Sequence, residues 1–258
     1  DAVIGTAEIF GVTMPENFKR PFFSRTISEF WKRWHVTLGA WLKDYIFYPV
    51  TMSKPMKNLT SSARKKLGNH FGPLLAGSIA LFCVWIINGL WHGSAWNFIF
   101  FGMYHFVLIL LGNICEPLVR AINTKLKINP ESKPYKAMQI IRTCILVCIG
   151  EMFFRANGLR AGFSMLKRLF TSFGFKASGA LISDLGFDTG DFIITVATLL
   201  IVLGVSIANE KGISVREKLA GTKPVVRWAV LYALIMFIVI FGAYGIGYVP
   251  VDPIYANF

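Results

Sequence analysis

His92 is the residue of this chain whose type and surroundings are best suited to chemistry. It lies in the sequence NGLWHGS, residues 88–94, where two long apolar segments meet. An ionisable side chain within such a segment is costly in lipid and is a candidate functional group for that reason. Imidazole titrates near neutral pH, so His92 could accept a proton from an alcohol. Gly89 and Gly93 would leave room for a ligand beside it.

His35 is the second candidate and directly follows Trp34 in an aromatic-rich stretch. Its position alone fits a structural imidazole at the membrane interface as well as a catalytic one. Neither His35 nor His92 is accompanied by metal-ligand spacing or a cluster of carboxylates, so no metal site is predicted. Of the other histidines, His105 is expected to pack between helices as a hydrogen-bond donor, and His70 to be solvated in a basic loop.

The composition indicates the class of protein that must position these histidines. The 258 residues are 54% hydrophobic and 16% charged, against about 25% charged in an average soluble domain. This excludes disorder, collagen-like repeats and a disulfide-stapled secreted module, and it argues against a soluble enzyme. Residues 71–115 contain no Asp, Glu, Lys or Arg, and a membrane helix needs about 20 apolar residues. We therefore predict an all-α, polytopic membrane protein with five spans, near 72–91, 95–113, 137–154, 191–209 and 226–245.

Residues 24–48 are too charged to cross a bilayer and are predicted to form one amphipathic helix, interfacial or re-entrant. Thr26 and Glu29 have the spacing of a helix capping box, and Arg33 lies one helical turn from Glu29 and can pair with it. Apolar side chains recur at steps of three and four residues, namely Phe30 or Trp31, Trp34, Leu38, Trp41 and Tyr45. An anchoring helix without chemistry fits this periodicity equally well.

Basic residues are unevenly distributed along the chain. There are 27 Lys and Arg against 14 Asp and Glu, a net charge of +13, and 16 of the 27 lie in segments 43–70, 114–136 and 210–227. By the positive-inside rule these segments are predicted to be cytoplasmic, which puts His92 towards the opposite, outer side. The membrane topology thus explains the excess of basic residues, and no nucleic-acid partner is predicted. Membrane lipid is the expected contact of these residues. The four cysteines are interpreted as small buried hydrophobes.

Four sequence blocks resemble the membrane-bound O-acyltransferase family, specifically the bacterial branch that modifies cell-envelope polysaccharides. They are ENFKRPFFSRTISEFWKRWHVTLGAWLKDYIFYPV, NGLWHGSAWNFIFFGMYH, MFFRANGLRAGF and FGAYGIGYVPVDPIYANF, in the family's order. His35 and His92 match the family's two characteristic histidines. The resemblance implies acyl transfer from an activated thioester to a hydroxyl, with His92 as general base and His35 orienting the acceptor or stabilising the oxyanion.

The resemblance also bears on the extent of the protein. Family members are longer, and this chain begins with Asp1. We therefore expect residues 1–258 to be one membrane-embedded acyltransferase domain that is truncated at its N-terminus.

Six further residues are expected to bind substrate or to support the histidines: Asn88, Trp91, Trp34, Trp41, Arg33 and Asp44. Asn88 precedes His92 by one helical turn and would hydrogen-bond it or a substrate oxygen. The three tryptophans would line the cavity, and the two charged residues would hold the interfacial helix.

Partners and location follow from the same resemblance. The co-substrate would be an acyl thioester, such as acetyl-CoA or a charged acyl-carrier protein, and no cofactor is expected. The acceptor would be a cell-envelope polysaccharide or teichoic acid, with an accessory extracytoplasmic acyltransferase or acyl-carrier protein as partner, at the bacterial cytoplasmic membrane. Acetyl transfer is the first interpretation, and D-alanyl transfer to teichoic acid is the alternative. A transporter or flippase without covalent chemistry is the second alternative, and a purely structural subunit is a third.

Overall fold

The computed structural model describes residues 2–172 and 188–242. Within these ranges the chain is helical, with no strand beyond one isolated antiparallel bridge between Phe18 and Trp34. The predicted all-α fold is therefore confirmed. The helices are α1 (Ala2–Ile9), α2 (Ile27–Arg33), α3 (Val36–Leu42), α4 (Tyr48–Met52), α5 (Lys54–His92), α6 (Trp96–Lys125), α7 (Lys133–Arg155), α8 (Leu159–Thr171), α9 (Thr189–Glu210), α10 (Val215–Ala220) and α11 (Pro224–Phe241).

Five of these helices are long and apolar enough to cross a membrane: α5, α6, α7, α9 and α11. All five predicted spans are thus confirmed within residues 2–172 and 188–242, and the chain is an integral membrane protein. Two helices extend beyond the predicted limits. α5 begins at Lys54 instead of near residue 72, and α6 continues to Lys125 instead of ending near residue 113. The basic stretch 54–67, predicted as a loop, is helical because Lys, Arg, Met and Leu are good helix formers.

A sharp bend at Gly68 separates that basic stretch from the spanning part of α5. Gly68 has φ +78°, a backbone conformation that glycine adopts at little cost. The chain doubles back so closely that a Cβ on Gly72 would overlap the backbone of Arg64. His70 lies beside the bend, and its Nε2 is 3.0 Å from the carbonyl oxygen of Asn113 on α6. His70 is exposed, as predicted, but it lies within helix α5 and not in a loop.

The chain divides into two units, Asp1–Gly174 and Phe175–Phe258, which are described separately. In the first unit α5 packs against α6 and α6 against α7, while α8 contacts both α6 and α7. The core of this unit combines Trp85, Ile109 and Val147 from the three spanning helices with Ile27 and Phe30 from α2. The short helix α2 is therefore part of the same core as the spans.

The second unit contains α9, α10 and α11 within its described residues. Asp188 and Asp191 form a reciprocal capping box at the start of α9, and Ser214 caps α10 by accepting from the backbone N–H of Glu217. Both spanning helices are apolar along their length, as their sequences predict. Most of the block FGAYGIGYVPVDPIYANF, and the predicted continuation of the last span to residue 245, lie outside the described residues.

Residues 24–48 do not form the single helix predicted from their periodicity. The structure has α2, then Trp34 in extended conformation and His35 in the left-handed region with φ +48°, then α3. A π-helical turn at Lys43–Phe47 follows. The predicted start is correct: the Thr26 hydroxyl accepts from the backbone N–H of Glu29 at 3.1 Å. The later residues of the stripe consequently point in directions that a continuous helix would not give them.

The break between α2 and α3 is held by the segment that precedes them. The backbone N–H of Lys19 donates to the carbonyl of Arg33 at 2.8 Å. The N–H of Val36 donates to the carbonyl of Asn17 at 3.1 Å. The side-chain oxygen of Asn17 also accepts from the backbone N–H and the hydroxyl of Thr37, at 2.9 and 2.7 Å, and so caps α3. These contacts replace the helical hydrogen bonds that a continuous helix would have made.

The segment 21–35 lies along the spanning helices of the first unit. At one end, Arg142 on α7 donates to the carbonyl of Arg25 at 3.0 Å. Further along, the Trp31 ring is 4.9 Å from Trp85 and 4.8 Å from His105. His105 is nine residues into α6, about 14 Å along its axis at 1.5 Å per residue. The segment thus packs against the spanning helices over much of its length, and whether it is interfacial or re-entrant stays a prediction.

Arg25 fixes the segment to the connection between α6 and α7. Its guanidinium donates to Gln139 at 2.8 Å, to Glu131 at 3.0 Å and to the carbonyl of Pro130 at 3.0 Å. Lys136 also pairs with Glu131, at 2.6 Å. Hydrogen bonds from Lys136 and Arg25 lower the pKa of the Glu131 carboxyl below its ordinary value. One carboxylate thus joins the segment to α7 through two cations.

Glu131→Gln is expected to lower the midpoint of thermal unfolding at neutral pH and to have a smaller effect in acid. Because the folded pKa of Glu131 is lowered, its contribution is present above the ordinary value of 4.5 and is lost as the pH falls through the folded value. Unfolding of both proteins in detergent at about pH 7 and about pH 3 measures this. Glu116→Gln is the control, since Glu116 pairs with Arg120 on its own helix. A difference that is unchanged at the lower pH would contradict the prediction.

Candidate active site

His92 is the last residue of α5 and is buried, with 4% of its surface exposed. Its ring packs edge-on against three aromatic rings: Phe154 of α7 at 4.9 Å, Phe101 of α6 at 5.8 Å and Trp91 at 4.8 Å. Side chains from all three spanning helices of the first unit therefore enclose the imidazole. Such a setting keeps bulk water away from a group that exchanges protons.

Gly93 ends α5 directly after His92 for two independent reasons. Its φ of +148° is a conformation that other residues rarely adopt, and a Cβ would lie 2.7 Å from the Phe98 ring. The glycine that sequence analysis interpreted as room for a ligand is therefore required by the turn and by Phe98. This requirement does not exclude a ligand on the other side of His92.

His35 is held in a strained backbone conformation between α2 and α3. Its φ and ψ of 48° and 53° lie in the left-handed region, which costs a non-glycine residue about 1–2 kcal/mol. The half-buried ring lies 4.9 Å from Phe18 and 5.8 Å from Trp34. This burial lowers the pKa of His35, so the imidazole is uncharged at neutral pH. Strained residues of this kind are frequent at functional sites.

Trp91 is near both histidines. Its ring is 6.2 Å from the ring of His35 and 4.8 Å from that of His92. The structure therefore brings together the two histidines that are 57 positions apart in the sequence.

A cavity of about 210 Å³ opens beside His35, between the α2–α3 segment and α5. Three tryptophans line it, Trp31, Trp34 and Trp85, together with Asn88. Asn88 is only 5% exposed, and its Oδ1 accepts no hydrogen bond from any residue that the structure describes. The cavity is thus an apolar pocket with the His35 imidazole and the Asn88 side chain in its wall.

His92 is next to this cavity without being part of its lining. Asn88 and His92 are four residues apart on α5 and therefore lie on the same face of the helix. Trp91 directly precedes His92 in α5 and is half exposed.

The other predicted site residues are divided between the cavity and the surface. Trp34 lines the cavity and stacks on Phe30 at 5.5 Å. Trp41 is 52% exposed and stacks on Tyr45 at 5.3 Å, away from the cavity lining. The break at His35 is the physical reason, because it turns α3 relative to α2. The prediction that Trp41 lines the cavity therefore does not hold for this cavity.

The two charged residues expected to hold this segment are placed differently from each other. Arg33 forms an ion pair with Glu29 at 2.7 Å, the i,i+4 pairing expected from the sequence. Asp44 lies exposed in the π-helical turn. No group of three or more His, Cys, Asp or Glu is arranged for a metal within residues 2–172 and 188–242.

Asn97 supports the candidate site but is not among the residues predicted from the sequence. It is buried, and its side-chain amide donates to the carbonyls of Phe154 and Ala156 at 3.2 and 3.5 Å. These bonds fix the end of α7 and therefore the Phe154 ring that packs on His92. An amide in the first turn of an otherwise apolar helix was the available signal.

Comparison with known proteins shows which family this chain is similar to. Residues 3–64, which include His35, match the model of the membrane-bound O-acyltransferase family. The chain is 32% identical over 155 residues to the teichoic acid D-alanyltransferase of Bacillus subtilis, covering 58% of this chain and 35% of that protein. The sequence resemblance to this family is therefore confirmed, and the family is one of acyltransferases.

Two other relatives are named as O-acetyl-transferring proteins. The probable alginate O-acetylase of Azotobacter vinelandii is 30% identical over 174 residues, 67% of this chain and 29% of that protein. The peptidoglycan O-acetyltransferase of Helicobacter pylori is 27% identical over 167 residues, 65% of this chain and 27% of that protein. The chain thus spans about a third of the length of the curated relatives that it matches.

Proposed function

We propose that this chain is the histidine-bearing part of a membrane-bound O-acyltransferase, which transfers an acyl group from a thioester to hydroxyls of a cell-envelope polysaccharide. The observation that carries the proposal is that buried His92 and His35 both contact the Trp91 ring, beside a cavity of about 210 Å³. The names of the relatives support the reaction class. The acyl group is proposed to be acetyl.

In the proposed reaction His92 acts as the general base. An unprotonated ring nitrogen takes the proton of the acceptor hydroxyl while the hydroxyl oxygen attacks the thioester carbonyl carbon. A tetrahedral oxyanion forms, the carbon–sulfur bond breaks, and the thiolate leaves with the proton that His92 returns. The products are the ester and a free thiol. The aromatic enclosure of His92 limits competing transfer to water.

His35 is proposed to stabilise the oxyanion or to orient the acceptor. A neutral imidazole still carries one N–H donor, and burial lowers the pKa of His35 so that it remains in this form. A neutral donor can bind the oxyanion without placing a permanent positive charge beside the base. Donors of this kind contribute most when the backbone holds them in place, as the left-handed conformation of His35 does.

The pH dependence of transfer provides a test of this assignment. Because the pKa of His35 is lowered from 6.5, protonation of His35 should not limit the rate at neutral pH. We expect kcat/KM of the full-length protein to show no inflection from His35 between about pH 6.5 and 8. The profile of the wild type minus that of His35→Gln isolates its contribution. An inflection at or above pH 6.5 that disappears in His35→Gln would contradict the assignment.

D-alanyl transfer to teichoic acid is the second candidate function. The Bacillus subtilis relative carries that name, and a D-alanyl group brings an ammonium that the tryptophan faces of the cavity suit. Radiolabelled acetyl-CoA and radiolabelled D-alanyl carrier protein, supplied separately to membranes that contain the full-length protein, distinguish the two donors. Label in the polymer from one donor identifies it. Label from neither donor would favour a transporter.

The proposed location is the bacterial cytoplasmic membrane, with the His92 end of α5 facing outwards. The basic residues of segments 43–70 and 114–136 support this orientation through the positive-inside rule. A thioester made in the cytoplasm would then have to reach His92 through the protein. An accessory extracytoplasmic acyltransferase or an acyl-carrier protein is the proposed partner. A cysteine at position 94 that a membrane-impermeant reagent labels only from the cytoplasm would reverse the orientation.

A further inference from the structure

One wall of the His35 cavity is fixed by a hydrogen bond that crosses from α2 to α6. The indole N–H of Trp31 donates to Nδ1 of His105 at 3.2 Å. Trp31 lines the cavity, whereas His105 lies behind it and does not. Because Nδ1 accepts, the neutral imidazole carries its proton on Nε2. His105 is therefore an acceptor in this contact, and the predicted donor role is wrong here.

His105 is enclosed on every side that the structure describes. It is fully buried, stacked on Trp85 at 5.5 Å and in edge contact with Phe101 at 4.7 Å. Gly150 of α7 faces its other nitrogen so closely that a Cβ would lie 2.6 Å from Nε2. The ring consequently has little freedom to turn. An acceptor atom held this firmly determines the position of its donor.

Two of the three cavity tryptophans are in contact with His105. It binds the indole N–H of Trp31 and stacks on Trp85, and these two rings meet at 4.9 Å. Without the Nδ1 acceptor, the N–H of Trp31 would have no partner in this position, and a turn of the ring towards the cavity would let it find another one. A turn of that ring would change the space beside His35.

We propose that His105 is a positioning residue, which fixes the Trp31 indole and thereby sets the shape of the cavity beside His35. It touches neither His35 nor the cavity, so it acts on substrate binding through Trp31. The consequence for catalysis rests on the proposed acyltransferase function, whereas the positioning of Trp31 does not. The two parts can therefore be tested separately.

Two amide variants of His105 make a matched pair. In His105→Asn the side-chain oxygen takes the place of Nδ1 and keeps the acceptor for Trp31, whereas in His105→Gln it takes the place of Nε2. Resonance Raman spectra of the full-length protein in detergent report the hydrogen bonding of indole N–H groups. The wild-type spectrum minus that of Trp31→Phe isolates Trp31. We expect the hydrogen-bonded Trp31 signal in His105→Asn and its loss in His105→Gln.

The kinetic part uses acetyl-CoA as donor with the same variants. We expect KM for acetyl-CoA to rise about tenfold in His105→Gln and in Trp31→Phe, with kcat changed less than about threefold and His105→Asn close to wild type. His70→Asn is the control, since His70 is exposed and outside the cavity. An unchanged Trp31 signal in His105→Gln would overturn the proposal. A fall in kcat alone would also overturn it, whereas wild-type protein without activity would count against the proposed function only.

If His105→Gln does not fold, Trp31→Phe decides the kinetic part, because it removes the donor and leaves His105 in place. An unchanged KM in Trp31→Phe would overturn the proposal.

Discussion

Acyl transfer is expected to fall by about 10²- to 10⁴-fold when His92 is replaced by alanine in the full-length protein, the range found when a general base is lost. The ring of His92 is enclosed by Phe154, Phe101 and Trp91. Water therefore has poor access to replace the imidazole as proton acceptor. Initial rates of label transfer from acetyl-CoA to polymer, in membranes that contain equal amounts of protein, measure the loss.

Two companion variants separate the loss of the base from a loss of structure. His92→Gln keeps a polar side chain of similar size in the buried site and should be as inactive as His92→Ala. His70→Ala removes an exposed histidine that binds the carbonyl of Asn113 and should retain activity. Normal insertion together with full activity of His92→Ala would exclude His92 as the base.

The features of this fold that sequence predicts well are those that depend on neighbouring residues. A bilayer requires long apolar helices, so uninterrupted apolar segments indicate the spans directly. The start of α2 is equally local, because Thr26 caps the N–H of Glu29 only three residues away. The ion pair of Arg33 with Glu29 follows from the same helical spacing. Each of these depends on contacts within about one helical turn.

The features that sequence does not predict depend on distant partners. The apolar periodicity of residues 24–48 favours one continuous helix, but Asn17 and Lys19 bind the backbone of residues 33–37 and break it. This break puts His35 in its left-handed conformation and turns Trp41 out to the surface. The bond between Trp31 and His105 joins residues 74 positions apart. Spacing along the chain carries no signal for such pairs.

Gly102→Ala is expected to destabilise the first unit by about 1–3 kcal/mol, the cost of adding a methyl group to a well-packed interface. A Cβ on Gly102 would overlap the carbonyl oxygen of Trp85, and it would lie 3.4 Å from the backbone nitrogen of Gly89. Both obstacles are backbone atoms of α5, so no side-chain movement can relieve them. Small residues allow helices to cross this closely in membrane proteins. With alanine at position 102, the two helices would have to separate at the crossing.

Gly112→Ala supplies the matched control, because it is the same substitution on the same helix and a Cβ there meets nothing within 4 Å. Alanine at that position should be neutral or stabilising by up to about 1 kcal/mol, through its higher helix propensity. Thermal unfolding of both variants in detergent provides the comparison, and equal midpoints would contradict the prediction. Separation of α5 from α6 at Gly102 would also displace Trp85, which lines the cavity and stacks on His105. Gly102→Ala should therefore lose acyl transfer together with stability, whereas Gly112→Ala should lose neither.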